Sequence, residues 1–99
     1  MDYVFICEDV DNSLDGRTAH RPAHLARLQA LQEEGRLLLA GPFPAIDNPD
    51  PGPAGFSGSL IIAEFRSLEE AEGWAAEEPF LKAGVYRRVS VKPFRQTLP

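Results

Sequence analysis

The chain has 99 residues, of which 43% are hydrophobic and 25% are charged, a composition and length that suit one hydrophobic core and a single domain over residues 1–99. Its formal net charge is −5, and acidic and basic residues alternate along the chain without a basic stripe that could neutralise phosphates. We therefore expect no nucleic-acid partner.

Cysteine usage and the N-terminal sequence bear on the compartment. Cys7 is the only cysteine, so an internal disulfide is excluded and a reducing compartment is favoured. The N-terminal stretch "MDYVFICEDVD" has neither a basic leader nor an apolar run long enough for export, and no segment is long enough to span a membrane. We expect a cytoplasmic protein with no membrane partner.

The first part of the chain predicts two strands on either side of a helix. "YVFIC", residues 3–7, is β-branched and aromatic with apolar residues on both faces, which is typical of a central strand. Residues 8–20 are polar and acidic and predict a loop with one helical turn. A helix then begins at Pro22 and stops at Gly35, and its leucines recur at three-residue spacing. "RLLLAGPF", residues 36–43, predicts a second strand covered on at least one face.

The second part predicts a strand, a helix, a short turn and a strand. "SLIIAEF", residues 59–65, is the third strand, and a capping box of Ser67 and Glu70 begins the second helix. A single turn starts at Pro79, and residues 85–94 form the last strand.

Residues 44–58 form the longest predicted connection, and their four prolines and three glycines predict the absence of regular structure. A loop of this length inside a small domain suggests a function, such as closing over a pocket, although proline also stiffens loops for stability alone.

The element order β-α-β-β-α-β predicts an α+β, ferredoxin-like sandwich. Its two helices must cover one face of an antiparallel sheet, and the other apolar face then needs a partner. A second copy of the chain is the simplest candidate, so we expect a homodimer or a higher homo-oligomer.

His20 and His24 have a spacing that sometimes binds metal, but Pro22 lies between them and no third histidine exists, so we expect no metal site. His24 lies on the leucine stripe of the predicted helix, so its ring should point inward and need a hydrogen-bond partner. From the residues alone, a structural histidine is favoured over a catalytic one.

Six segments in this order, "HLARLQ", "GRLLLAGP", "AGFSGS", "SLEEAEGWA", "EPFLKAGVY" and "VSVKPF", resemble the YciI-like proteins of the YCII-related domain family over nearly the whole chain. The resemblance implies a ferredoxin-like fold whose dimers form an α+β barrel. It also implies an active-site dyad of a histidine from the first helix and an aspartate from an Asp-Pro-aromatic motif. His24 matches the histidine, whereas Glu78 replaces the aspartate and Glu77 is expected to be solvated.

The resemblance implies a small, cofactor-independent enzyme acting on a small organic molecule, with His24 as general acid or base and Glu78 orienting it. Some relatives are associated with dehydrochlorination or similar lyase chemistry. The alternative is a non-catalytic dimeric module that binds a small ligand or serves as an accessory interaction domain. The related α+β barrel monooxygenases are a third possibility, which "HLARLQ" and "EPFLKAGVY" disfavour.

Three further residues are candidates for binding the substrate. Ser59 could present a hydroxyl to a pocket, although a serine at a strand start more often satisfies local backbone groups. Tyr86 and Arg88 are expected on one face of the last strand, where they could offer a donor and a cation to an anionic ligand. Cys7 is expected in the core rather than as a nucleophile, because no basic neighbour is evident.

Overall fold

Four strands and three helices make up the fold in this computed structural model, which describes residues 1–99. In chain order they are β1 (Asp2–Asp9), α1 (Leu14–Glu33), β2 (Leu37–Pro44), β3 (Phe56–Glu64), α2 (Leu68–Ala76), α3 (Pro79–Lys82) and β4 (Tyr86–Phe94). The α+β class and the ferredoxin-like β-α-β-β-α-β order are as predicted, with the expected single turn as α3. No helix is both long and apolar enough to cross a membrane.

The four strands form one antiparallel sheet in the order β2-β3-β1-β4. The predicted central position of the first strand is confirmed, because β1 pairs with β3 on one side and with β4 on the other. In this register Phe5 lies opposite Ile61 and Cys7 lies opposite Ser59. These side chains share the sheet face that the helices cover, since residues directly opposite in a pair point the same way.

The core lies between the sheet and the helices and is dominated by aromatic side chains. Phe5 is fully buried and meets Phe65 and Trp74 edge-on, with ring centroids 5.6 and 5.2 Å away. Edge-to-face pairs add about 0.5–1.5 kcal/mol each beyond the apolar area that they bury. This cluster fixes α2 against β1 and so positions the short helix that follows.

The opposite face of the sheet carries apolar side chains that the helices do not cover. The expectation that residues 36–43 are covered is wrong for most of that strand. Leu38 and Leu39 are 45% and 47% exposed, because β2 is an edge strand. The pairing register places a set of apolar residues on this uncovered side, here called the open face: Val4, Ile6, Leu39, Phe43, Leu60 and Ile62.

The first helix begins earlier than the sequence predicts, and the loop predicted with one helical turn over residues 8–20 is confined to residues 10–13. β1 continues to Asp9 and α1 starts at Leu14, so Pro22 lies inside the helix rather than at its first position. An internal proline removes one backbone hydrogen bond and is normally unfavourable. Here the turns before Pro22 are held by tertiary contacts of Arg17 and Ser13 with Asp9, which outweigh the local preference.

The connection between β2 and β3 is shorter and more regular than predicted. β2 runs to Pro44, a 3-10 turn covers Gly52–Ala54, and β3 already begins at Phe56. Gly58 lies within β3 so close to β1 that a Cβ there would stand 2.1 Å from the carbonyl oxygen of Cys7. The glycine therefore allows the two central strands to approach each other at this point.

Candidate active site

The carboxylate of Glu78 links a histidine of α1 to the start of α3. Glu78 is only 1% exposed, and its Oε1 contacts Nδ1 of His24. Its Oε2 accepts a hydrogen bond of 2.6 Å from the backbone N–H of Phe80, so Glu78 is also the N-cap of α3. The predicted contact between His24 and Glu78 is thus present, and one carboxylate both caps the helix and holds the imidazole.

The ring of His24 is held in one orientation. It stacks on Phe80 with centroids 4.1 Å apart and an angle of 12° between the planes, and Tyr86 meets it edge-on at 6.4 Å. Because a carboxylate can only accept hydrogen bonds, Nδ1 carries a proton toward Glu78. Nε2 makes no hydrogen bond within the chain and is not sealed from solvent. It is therefore the ring nitrogen that can exchange a proton with a ligand.

A cleft of about 630 Å³ lies beside His24, between α1 and the β2–β3 side of the sheet. This volume suits a small organic molecule. Its lining is mixed: leucines of α1 and β2 supply apolar surface, and polar atoms come from a few side chains. Among the lining residues are Arg17, His24, Phe56, Ser59, Ile61 and Phe80.

A second buried cluster, which the sequence interpretation missed, lies at the same cleft. Arg17 binds Asp9 with two hydrogen bonds, Nε to Oδ2 at 2.6 Å and Nη2 to Oδ1 at 2.9 Å. Its Nη2 also donates to the carbonyl of Gly58 and to Oγ of Ser59, both at 2.9 Å. Arg17 thereby joins α1 to both central strands.

Aromatic rings surround the Arg17 guanidinium. Its Cζ lies 5.2 Å from the ring centroid of Phe80, 5.3 Å from that of Phe56 and 5.8 Å from that of Tyr86. Cation–π contacts of this kind favour a desolvated guanidinium. Phe80 therefore contacts both the imidazole of His24 and the guanidinium of Arg17.

Of the three predicted substrate-binding residues, Ser59 lies at the cleft and Arg88 does not. A bulge in the β1–β4 pairing separates Glu8↔Arg88 from Asp9↔Tyr86. The expectation that Tyr86 and Arg88 share a face is therefore wrong: Tyr86 is buried under the helices, whereas Arg88 pairs with Glu8 on the opposite side at 2.5 Å. Glu77 is exposed, as expected, and pairs with Lys82 at 2.9 Å.

Two buried groups near the site are held protonated. Burial raises the pKa of the Cys7 thiol to about 12. Burial also raises the pKa of the Tyr86 phenol well above its usual range, and its hydroxyl, beside Cys7 and Ser59, makes no hydrogen bond of normal geometry. Cys7 therefore belongs to the core, as predicted, and is not a thiolate nucleophile.

No group of three or more histidine, cysteine, aspartate or glutamate side chains is placed to hold a metal ion. His20 is exposed and does not line the cleft with His24.

The sequence carried one usable signal for the missed cluster. Arg17 lies two helical turns before His24, so the two side chains share a helix face if the helix extends back to Leu14. Placing the helix start at Pro22 hid that relation. No local pattern indicates Asp9, whose contact with Arg17 depends on how the sheet and the helix pack.

Comparisons with known proteins agree with the fold and bear on the cleft. The model of the YCII-related domain family matches residues 1–95. Protein YciI of Escherichia coli O6:H1 is 59% identical over 96 residues, which cover 97% of this chain and 98% of that protein. A protein of Haemophilus influenzae is 53% identical over the same shares of both chains.

A solved structure is also similar over nearly the whole chain. It is 5-chloro-2-hydroxyhydroquinone dehydrochlorinase TftG from Burkholderia phenoliruptrix AC1100 in complex with 2,5-dihydroxybenzoquinone. The TM-score is 0.83 at 26% sequence identity, and the match covers 96% of this chain and 94% of TftG.

Proposed function

This chain belongs to the YCII-related domain family, and we propose that it is a small acid–base enzyme of lyase type in which His24 transfers a proton to or from a small organic molecule. Glu78 orients the imidazole. The similarity to TftG, a dehydrochlorinase with a bound quinone, supports a hydroxylated aromatic or quinone-like substrate. The proposal assigns the protein no cofactor.

One observation carries this proposal: Nδ1 of His24 is held by a buried carboxylate, while Nε2 remains free at a cleft large enough for such a molecule. In the proposed step, Nε2 takes a proton from a C–H or O–H bond of the substrate. The electron pair of that bond moves into the substrate and either expels a leaving group as an anion or rests on an oxygen. Glu78 stabilises the imidazolium that forms.

Solvent exchange and chloride release test the proposal. The native chain is incubated in deuterated buffer with chlorinated and unchlorinated hydroxyhydroquinones, and NMR and chloride analysis follow the products. We expect turnover that falls by about 10²- to 10⁴-fold in His24→Gln. His20→Gln is the matched control, because His20 is exposed on the same helix. Activity that is equal in both variants would remove His24 from the mechanism.

The non-catalytic alternative has one observation in its favour, which is that Glu78 also caps α3 and so has a structural reason to be present. A binding module would hold ligands in the cleft without turnover. Calorimetric binding of 2,5-dihydroxybenzoquinone with no proton exchange and no chloride release for any tested compound would support that function instead.

A homodimer formed through the open face is the second part of the proposal. Ile6, Leu39 and Phe43 are 37%, 47% and 38% exposed there, which is much apolar surface for one side of a small sheet. Light scattering of Leu60→Glu should report a monomer, because the charge would be buried between the two sheets. Leu68→Glu, on an exposed position of α2, is the control and should remain a dimer.

A single domain over residues 1–99 and a cytoplasmic location complete the proposal. One continuous core cluster supports the first, and one buried free thiol suits a reducing compartment. Cell fractionation with an antibody against the native chain tests the location.

A further inference from the structure

We infer that Arg17, supported by Ser59, is the residue that binds an oxygen of the ligand and stabilises negative charge on it while His24 acts at the other end. This inference deepens the proposed function and rests on it. Arg17 and Ser59 thus form an anion-binding position in the cleft, separate from the pair of His24 and Glu78.

Only one nitrogen of Arg17 is left for a ligand. Nε and Nη2 are occupied by Asp9, Gly58 and Ser59. Nη1 makes no hydrogen bond within the chain, and it is not among the atoms sealed from solvent. Because the residue is only 8% exposed and lines the cleft, the cleft is where Nη1 can find a partner.

The guanidinium is fixed before any ligand arrives. Its paired hydrogen bonds to Asp9 and its three aromatic neighbours leave the side chain little rotational freedom. Donors that are already oriented in a partly desolvated site stabilise developing charge more than mobile surface donors do. The two N–H groups of Nη1 therefore suit an enolate or phenolate oxygen.

Ser59 supplies a further donor beside Arg17. Its Oγ accepts a hydrogen bond from Nη2 of Arg17 at 2.9 Å, and the hydroxyl of Tyr86 lies beside it. Ser59 also lines the cleft, where its hydroxyl can turn from Tyr86 toward an oxygen of the ligand. An oxygen bound at this point would meet an arginine and a hydroxyl together.

The positions of Arg17 and His24 set the shape of the ligand. They lie two turns apart on one face of α1, about 10 Å along the helix axis. Both contact the ring of Phe80, His24 at 4.1 Å and the Cζ of Arg17 at 5.2 Å from its centroid. A small planar molecule beside Phe80 would present its ionisable group to Nε2 and its oxygen to Nη1.

These contacts favour an enolisable carbonyl compound or a hydroxyquinone. When Nε2 removes a proton from such a molecule, the C–H or O–H electron pair delocalises to the oxygen at Arg17, and no oxidant or reductant is needed. The Asp9 carboxylate already balances the arginine charge, so Arg17 acts mainly as an oriented donor.

A matched pair of ligands tests this inference. Calorimetry measures the Kd of the native chain for 2,5-dihydroxybenzoquinone, an acidic hydroxyquinone, and for its neutral dimethyl ether. In Arg17→Gln we expect the Kd for the acid to rise about 10- to 100-fold, as for loss of a charged hydrogen bond, and the Kd for the ether to change little. Arg66→Gln, at an arginine that is 92% exposed away from the cleft, is the control.

A second variant controls for misfolding of Arg17→Gln, which leaves the buried Asp9 carboxylate without its partner. The double variant Asp9→Asn, Arg17→Gln replaces both charges with amides that can still pair, and it should lose the preference for the acid in the same way. Failure of the native chain to bind the acid, or an equal loss for both ligands in these variants, would overturn the inference.

The proposed function can fail separately. Binding that depends on Arg17, combined with no His24-dependent proton exchange or chloride release, would overturn the enzymatic proposal while leaving the anion-binding position in place. Proton exchange that depends on His24 but not on Arg17 would overturn the anion-binding position while leaving the enzymatic proposal in place.

Discussion

Glu78, the N-cap of α3, holds His24, in the middle of α1, across 54 positions of the chain. The same carboxylate caps α3 by accepting a hydrogen bond from the N–H of Phe80, and the ring of Phe80 stacks on the imidazole. The orientation of His24 therefore depends on a four-residue helix that this single side chain caps.

Removing the charge of Glu78 should reduce turnover more than shortening the side chain. Glu78→Gln keeps the size but leaves the imidazolium without a counter-charge, so we expect the rate of solvent exchange to fall about 10²-fold or more. Glu78→Asp keeps the charge and is a good N-cap, and its loss should be smaller. Equal rates in the native chain and both variants would contradict an orienting role.

The double role of Glu78 also predicts a stability effect that does not require a known substrate. Glu78→Ala removes a cap and leaves His24 without its partner, so the free energy of unfolding should fall by about 2–4 kcal/mol. Ser67→Ala is the matched control, because Ser67 caps α2 and has no histidine to hold; it should cost about 1 kcal/mol. Urea unfolding measures both variants. Equal losses in the free energy of unfolding would mean that Glu78 stabilises the fold only as a helix cap.

Cys7 should resist thiol reagents in the folded chain. A free cysteine is half ionised at about pH 8.5, whereas burial raises the pKa of the Cys7 thiol to about 12. We expect modification by a disulfide reagent only as fast as the chain unfolds, and full modification in denaturant. Rapid reaction of the native chain would show that the thiol is accessible and ionised.

Tyr86 should destabilise the fold at alkaline pH. The folded pKa values of Tyr86 and Cys7 are both raised, so their protonated forms contribute stability that is present below about pH 9 and is lost as the pH rises further. Tyr86→Phe should make the free energy of unfolding decline less steeply there. Near neutral pH it should be no less stable than the native chain, because the buried hydroxyl has no partner.

Tyr3→Phe is the control for that measurement. Tyr3 is also a buried core tyrosine, but its hydroxyl, unlike that of Tyr86, is not a sealed polar group without a partner. A large stability loss at neutral pH in Tyr86→Phe alone would mean that the Tyr86 hydroxyl has a partner in solution.

Gly58→Ala should disrupt the centre of the sheet. A Cβ at this position would stand 2.1 Å from the Cys7 carbonyl oxygen, so β1 and β3 would have to separate. We expect a loss of about 3 kcal/mol or more in urea unfolding, as for severe overpacking. Gly41→Ala is the matched control in the neighbouring strand, where a Cβ would meet nothing within 4 Å. Similar stabilities of the two variants would contradict the close approach.

The parts of the fold that follow local rules could be predicted from the sequence. The β-branched and aromatic run "YVFIC" and the capping box at Ser67 each depend on neighbouring residues, and each corresponds to an element of the structure. The start of α1 could not be predicted, because Pro22 is a strong local signal and the contacts that override it involve Asp9, on another element.

In the candidate site, too, features that depend on tertiary contacts could not be predicted from local sequence. The pairing of Glu78 with His24 was expected only through the family resemblance, since no local pattern relates two residues so far apart. The separation of Tyr86 from Arg88 was missed because both have the spacing of one strand face. The extra residue between them lies in a bulge, and bulges depend on the partner strand rather than on the bulged segment.

The one-turn length of α3 makes the backbone amide of Phe80 a reporter of the site. This amide is buried and bonded to Glu78, and the same carboxylate holds His24. Local fraying of α3 would expose the amide and release the imidazole in one event. The exchange rate of this single backbone proton would then measure how often His24 loses its contact with Glu78 in the absence of ligand.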